Sequence, residues 1–186
     1  MITREEAYEL VKGHVKEDYM VKHMLAVESV MRALARHFGE DEEKWGIAGL
    51  LHDLDYMEAK SNFSKHGYIT VKMLEEKGLD VPEDVKKAII AHVGHPNHKR
   101  KLLIEKAIYP SDPVTGFIVA AAKVMPDKKL ASVDVTFLLK RFKEKRFAKG
   151  ANRKAMKACE DMGLSLEEFL GIALQAMKDI SDELGL

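Results

Sequence analysis

The sequence predicts an all-α protein, and three features of its 186 residues carry that expectation. Hydrophobic residues make up 46% of the chain but aromatic residues only 7%, with ten methionines, a balance that leans towards helix. Apolar residues recur at intervals of three and four in several stretches, the period of one helix face. No run of useful length alternates apolar and polar residues as a half-buried strand would.

In chain order, Thr3 with Glu6 forms a capping-box pattern that opens a first helix. Met20, Met24, Val27, Met31, Leu34 and Phe38 then line one face of a second helix, which Gly39 is placed to end. A third helix is expected from near Asp41, carrying Trp45, Ile47, Ala48, Leu50 and Leu51 into the motif HDLD. Ser64 is the expected cap of a fourth, through Tyr68, Val71 and Leu74 to Gly78. Pro82 suits the first turn of a fifth, with Val85, Ile89 and Ile90 inward. HVGHPNHKR reads as a loop by its Gly, Pro and Asn content. Beyond it come an apolar stretch from Leu102 to Ile108, a break at YPSDP, and a small-residue helix from Val114 to Val124. Pro126 interrupts again, and two or three more helices follow, the last opened by Ser165 with Glu168. There is no internal repeat or long linker, so the expectation is one compact helical domain, with residues after about 126 as an extension.

Composition excludes several functions. The 30 basic and 30 acidic residues balance, so the molecule as a whole offers no electrostatic footprint for nucleic acid or anionic membrane. One cysteine, Cys159, leaves no intramolecular disulfide and no cysteine-built zinc site, and a reducing, cytoplasmic setting is the default expectation. No apolar run reaches membrane-spanning length, and MITREEAYEL is charged rather than signal-like.

Eight histidines stand at 14, 23, 37, 52, 66, 92, 95 and 98. His52 and Asp53 are adjacent at the end of AGLLHDLDY, where neighbours about 100° apart on a helix can converge on an ion lying beside it. An imidazole and a carboxylate there, joined by an imidazole from another helix, make a mixed N/O site suited to Mn, Fe, Co, Ni, Zn or Mg. His23 lies on the amphipathic segment HMLAVESVMRALA, His66 in SKHGYITVKML, His92 at the end of VKKAIIAH, and Asp112 in YPSDPVTG. His95 and His98 read as exposed loop residues, and His14 and His37 as structural ones near helix C-termini.

This ordered set resembles the HD superfamily of metal-dependent phosphohydrolases, closest to its HDIG-type branch, over roughly residues 20–125. The resemblance implies a helical HD-domain bundle with a C-terminal helical extension, and His23, His52, Asp53 and Asp112 as core metal ligands. Members holding two ions add two histidines between the doublet and the last aspartate. His66 and His92 stand there, implying a second ion with Asp53 bridging; if they are not ligands, a general-acid role is the alternative. The doublet continues as HDLD rather than HDIG, which makes Asp55 an extra carboxylate. There is no GYP triplet, which argues against a cyclic-dinucleotide phosphodiesterase. The lysine usual after the doublet has only Lys60 or Lys65 to represent it.

The implied activity is hydrolysis of a phosphomonoester or phosphodiester in a nucleotide or similar small metabolite. From Lys140 to Lys157, LKRFKEKRFAKGANRKAMK carries nine Lys or Arg against Glu144 alone. A solvated helix face, binding of the substrate phosphate by Lys149 and Arg153, and RNA binding are the competing readings of this segment. Of Phe137, Phe142 and Phe147, interleaved with it, at least two are expected in the core. A di-iron oxygenase and a non-catalytic regulatory or RNA-binding module are the alternative functions, and a homodimer is the default assembly.

Overall fold

A computed structural model describes residues 1–186 and contains eleven α-helices and no strand. The first, α1 (Arg4–His14), opens with the expected capping box: Thr3 Oγ1 accepts from the Glu6 amide while the Glu6 carboxylate accepts from the Thr3 amide. The second, α2 (Asp18–Phe38), buries Met20, Met24, Val27, Met31 and Leu34, and stops at Gly39, whose φ of 70° closes the last turn. Asp41 caps α3 (Glu42–Leu51) by accepting from the Lys44 amide.

The pairing of α2 with α3 is unusually close. A β-carbon at Gly49 would lie 2.8 Å from the Glu28 Cα and from the Val27 carbonyl oxygen, so only glycine lets the backbones meet there. That contact brings the end of α3, and with it His52 and Asp53, against the face of α2 that carries His23.

A short α4 (Tyr56–Ala59) and a 3-10 turn (Phe63–Lys65) lead to α5 (Tyr68–Glu76). Ser64 does not cap α5; its hydroxyl donates to Asn62 Oδ1 instead. The buried Asp55 carboxylate takes that place, accepting from the amides of Gly67 (2.8 Å) and Thr70 (3.1 Å). Because the cap comes from a residue twelve to fifteen positions earlier, no local sequence signal marks this start.

Next come α6 (Glu83–Ala91), with Pro82 just ahead of it, and α7 (Leu103–Lys123). The break expected at YPSDP is absent, because α7 runs through Pro110 and Pro113 without ending. Each interior proline costs a helix about 3 kcal/mol. The same helix buries Ile108, Val114, Phe117 and Ile118 completely, at roughly 1.5–3 kcal/mol each, and that packing offsets the two prolines.

After the 3-10 turn Leu130–Ser132 come α8 (Val135–Lys143) and α9 (Arg153–Lys157). A 3-10 segment (Ala158–Met162), α10 (Leu166–Asp179) and α11 (Ser181–Leu184) complete the chain. Ser165 and Glu168 make the expected capping box of α10. In the packing, α2 is central, flanked by α3, α7 and α10, while α6 lies against α3 and α7. One continuous core takes in Ile2, Met24, Leu50, Phe117, Phe169 and Met177, so the C-terminal helices share it with the preceding segment. Cys159 is buried in that core. Phe142 and Phe147 pack edge-on against Phe117. No helix is long and apolar enough to cross a membrane.

Candidate metal centre

Six side chains from five separated segments converge on one point. His23 comes from the middle of α2 and Asp112 from the middle of α7. His52 and His92 each stand immediately after the last residue of a helix, α3 and α6, and His66 immediately after a 3-10 turn.

The donor atoms fall into two groups that meet at Asp53. In the first, His23 Nε2 lies 3.1 Å from Asp112 Oδ1, 3.2 Å from His52 Nε2 and 3.5 Å from Asp53 Oδ2. His52 Nε2 lies 3.4 Å from the same Asp53 oxygen and 4.0 Å from Asp112 Oδ1. In the second group, the other Asp53 oxygen, Oδ1, lies 3.1 Å from His66 Nε2 and 3.3 Å from His92 Nε2, and those two nitrogens are 3.2 Å apart.

Local hydrogen bonds fix which nitrogen faces inward. His52 Nδ1 donates to the Gly49 carbonyl and His92 Nδ1 to the Ile89 carbonyl, each three residues back, in the last turn whose carbonyls have no helical partner. His66 Nδ1 donates to Asp55 Oδ1 at 2.7 Å. His23 Nδ1 donates to Thr115 Oγ1 at 3.1 Å, and that hydroxyl donates in turn to the Asp112 carbonyl. All four rings therefore commit Nδ1 to a neighbouring oxygen and leave Nε2 facing the centre. This is the bracing that metal-ligating histidines require.

Nε2 atoms that face one another at 3.2 Å need a proton or a metal cation between them. Donors held about 2.0–2.2 Å from a single ion sit roughly 3–3.5 Å from each other, close to the spacings in both groups. Two sets of donors, His23–His52–Asp112 and His52–Asp53–His92, thus have the spacing to hold a divalent metal of the kind that takes nitrogen and oxygen ligands.

The electrostatics agree. Burial disfavours charge on His23, but the Asp112 and Asp53 carboxylates outweigh it and raise the imidazolium to about 10. His66, partly desolvated and facing Asp53 and Asp55, is raised to about 9. Burial also opposes charge on Asp53, yet the surrounding imidazoles hold its carboxyl well below the usual range. Asp112 is lowered too, against its burial, chiefly by His23.

A cleft of about 820 Å³ reaches the first group, with His23 and Asp53 in its wall beside Tyr19, Tyr56, Val119 and Lys123. A smaller hollow next to it has His23, Asp112 and Lys149 in its wall. Neither His66 nor His92 lines the cleft; their side chains are 7% and 2% exposed. Both rings turn Nε2 towards Asp53 rather than towards the cleft.

Arg153 turns elsewhere: its guanidinium donates to the carbonyls of Phe142, Phe147, Ala148 and Ala151 and stacks over Phe117 at 4.6 Å, and it lines neither the cleft nor the hollow beside it. Lys60 and Lys65 stay outside the cleft, with Lys60 over the Tyr56 ring. His14 bonds to Glu58, away from the cluster. His95 and His98 are half-buried rather than exposed: His95 Nε2 donates to the His66 carbonyl and His98 Nε2 meets Glu105. Sequence reasoning missed the supporting roles of Asp55 and Thr115. The HDLD departure was the one visible sign of the first, and the three-residue spacing from Asp112 to Thr115 on one helix face could have pointed to the second.

No curated protein and no solved structure was found to match the chain. The family model of the HD domain matches residues 20–134, more than half of it, ending just before α8. HD domains are for the most part metal-dependent phosphohydrolases, and the chain belongs to the HD domain family.

Proposed function

We propose that this protein is a metal-dependent phosphohydrolase that cleaves a phosphomonoester or phosphodiester of a nucleotide or a similar small phosphorylated metabolite. The observation that carries the reading is the division of Asp53: Oδ2 faces His23 and His52 while Oδ1 faces His66 and His92. His23, His52, Asp53 and Asp112 would hold one ion and Asp53, His66 and His92 a second, with Mn, Fe, Co, Ni, Mg and Zn all compatible with the donors. When bound, such ions acidify water near neutral pH and screen phosphoryl charge.

The chain's own residues do the rest. Lys123 and Lys149 stand at the cleft and the adjoining hollow without an acidic partner, and supply positive charge for the ester. Tyr19, Tyr56 and Val119 offer flat and apolar surface to the body of the substrate. The closed His66–His92 side keeps bulk water from that half of the cluster.

The test is phosphate or nucleoside release from a nucleotide panel, with Mn, Co, Ni, Mg or Fe supplied, beside Asp53→Ala. Metal-dependent turnover that disappears in the variant is the expected result. Oxygen consumption by the iron-loaded protein, with no hydrolysis across the panel, would sink the reading in favour of the oxygenase.

A further inference from the structure

A second concave, positively charged surface lies apart from the cleft and shares no lining residue with it. It is a hollow of about 500 Å³ between the loop that follows His92 and the helix α9, within the size range of small-molecule sites. Lys99 and Arg100 reach it from the loop, Lys154 and Lys157 from α9, and Asp161 is the single acid in its wall. None of those four cations lies within ion-pair distance of a carboxylate, although the chain as a whole has as many acids as bases.

A solvated lysine face has no built support, whereas the loop that carries Lys99 and Arg100 is held in place. The loop is fastened at three points. His95 Nε2 donates to the His66 carbonyl at 2.8 Å. The buried Glu105 carboxylate accepts from His98 Nε2 and from the amides of Lys101 and Leu102, all within 2.8 Å. Arg100 lies over the Tyr109 ring at 3.8 Å, an approach that needs Gly94, where a β-carbon would come within 2.7 Å of that ring. Stacking holds the guanidinium plane while its edge stays free, the presentation that suits a phosphate oxygen pair.

We propose that this hollow is an anion site, separate from the catalytic cleft, that takes a small ligand bearing two or more phosphate groups. Four cations contributed by two segments match several charges better than one, and a hollow of this volume suits a compact ligand. The site stands independently of the catalytic reading, because its four cations line neither the cleft nor the hollow beside it; its one link to the donor cluster is His95, which bonds to the His66 carbonyl.

The experiment is lysine-acetylation footprinting of the full-length, metal-loaded protein against increasing inorganic tripolyphosphate, read by mass spectrometry at each lysine. Lys99, Lys154 and Lys157 are expected to lose reactivity together. Arg100→Ala should raise the concentration for half-protection about tenfold, the worth of one charge-assisted bidentate contact, and Asp161→Asn should lower it several-fold. Protection confined to Lys123 and Lys149 would assign the anion to the cleft and overturn the proposal. Unchanged reactivity at Lys154 and Lys157 would also overturn it. So would protection by a single-stranded RNA oligonucleotide, steeply salt-dependent, without protection by tripolyphosphate.

Discussion

The two halves of the donor cluster use the same kinds of atom in different surroundings. On the His23 side, His23 is 21% exposed and Asp112 34%, a cleft opens beside them, and the bracing group is a threonine hydroxyl. On the His66 side both rings are buried, and His66 is braced by a carboxylate that is itself fully buried and accepts two backbone amides as well. The open half has room for a substrate and the closed half does not. The difference also assigns rigidity: Asp55 ties a ligand, the start of α5 and the end of the HDLD turn into one unit, whereas Thr115 ties two ligands, His23 and Asp112, lightly.

The change expected to break both halves at once is Asp53→Ala, since it removes an oxygen from each. Turnover should fall roughly a thousandfold or more, because loss of a single outer partner already costs about 10–100-fold. Metal analysis should find neither half fully loaded; two ions retained would refute the bridging role.

Asp55→Asn separates the halves. Three donors converge on Asp55, and an amide in its place turns a donor of its own towards them or inverts the His66 ring proton. Affinity in the closed half should drop about 10–100-fold while the open half keeps its ion. Metal stoichiometry and the ring nitrogen resonances of His66 would report this, and a stoichiometry equal to wild type would remove Asp55 from the account. Thr115→Val is the milder counterpart on the open side. It deletes the acceptor for His23 Nδ1 and should weaken the first ion by about tenfold, at the low end of such effects, measured by competition with a chelator.

A pH dependence is expected of both halves. Folded-state values of about 10 for His23 and about 9 for His66 lie above the ordinary 6.5 of an unfolded histidine. In metal-free protein their contribution to stability is therefore complete below about pH 6.5 and is lost as pH rises through 9 and then 10. A metal must displace those protons, so affinity should rise with pH across the neutral range and loading should release protons. Calorimetry in buffers of different ionisation enthalpy would measure that release; none at pH 7 would contradict both assignments.

Much of the cluster was legible in the sequence because its ligands sit where helix punctuation is strong. His52 and His92 each end an apolar helical run, and the matched order of His23, the doublet and Asp112 carried the family. The element starts that were misread are those decided at a distance. Asp55 caps a helix across twelve residues, and burial of Phe117 and its neighbours carries α7 through two prolines that read locally as a stop. Charge was a poor guide for a related reason. In one basic run Arg153 turned inward to backbone carbonyls while Lys149 stayed exposed at a hollow that Asp112 also lines, and no local pattern distinguishes the two.

That inward arginine has a consequence for how the C-terminal part of the chain comes apart. Between α8 and α9 the backbone has no helix of its own, and one guanidinium gathers three of its carbonyls together with that of Phe142 in the last turn of α8. A lysine, with a single nitrogen, cannot reproduce that span. Arg153→Lys should therefore make residues 144–152 the first stretch cut by trypsin and the fastest to exchange amide hydrogens, while the core around Phe117 stays protected.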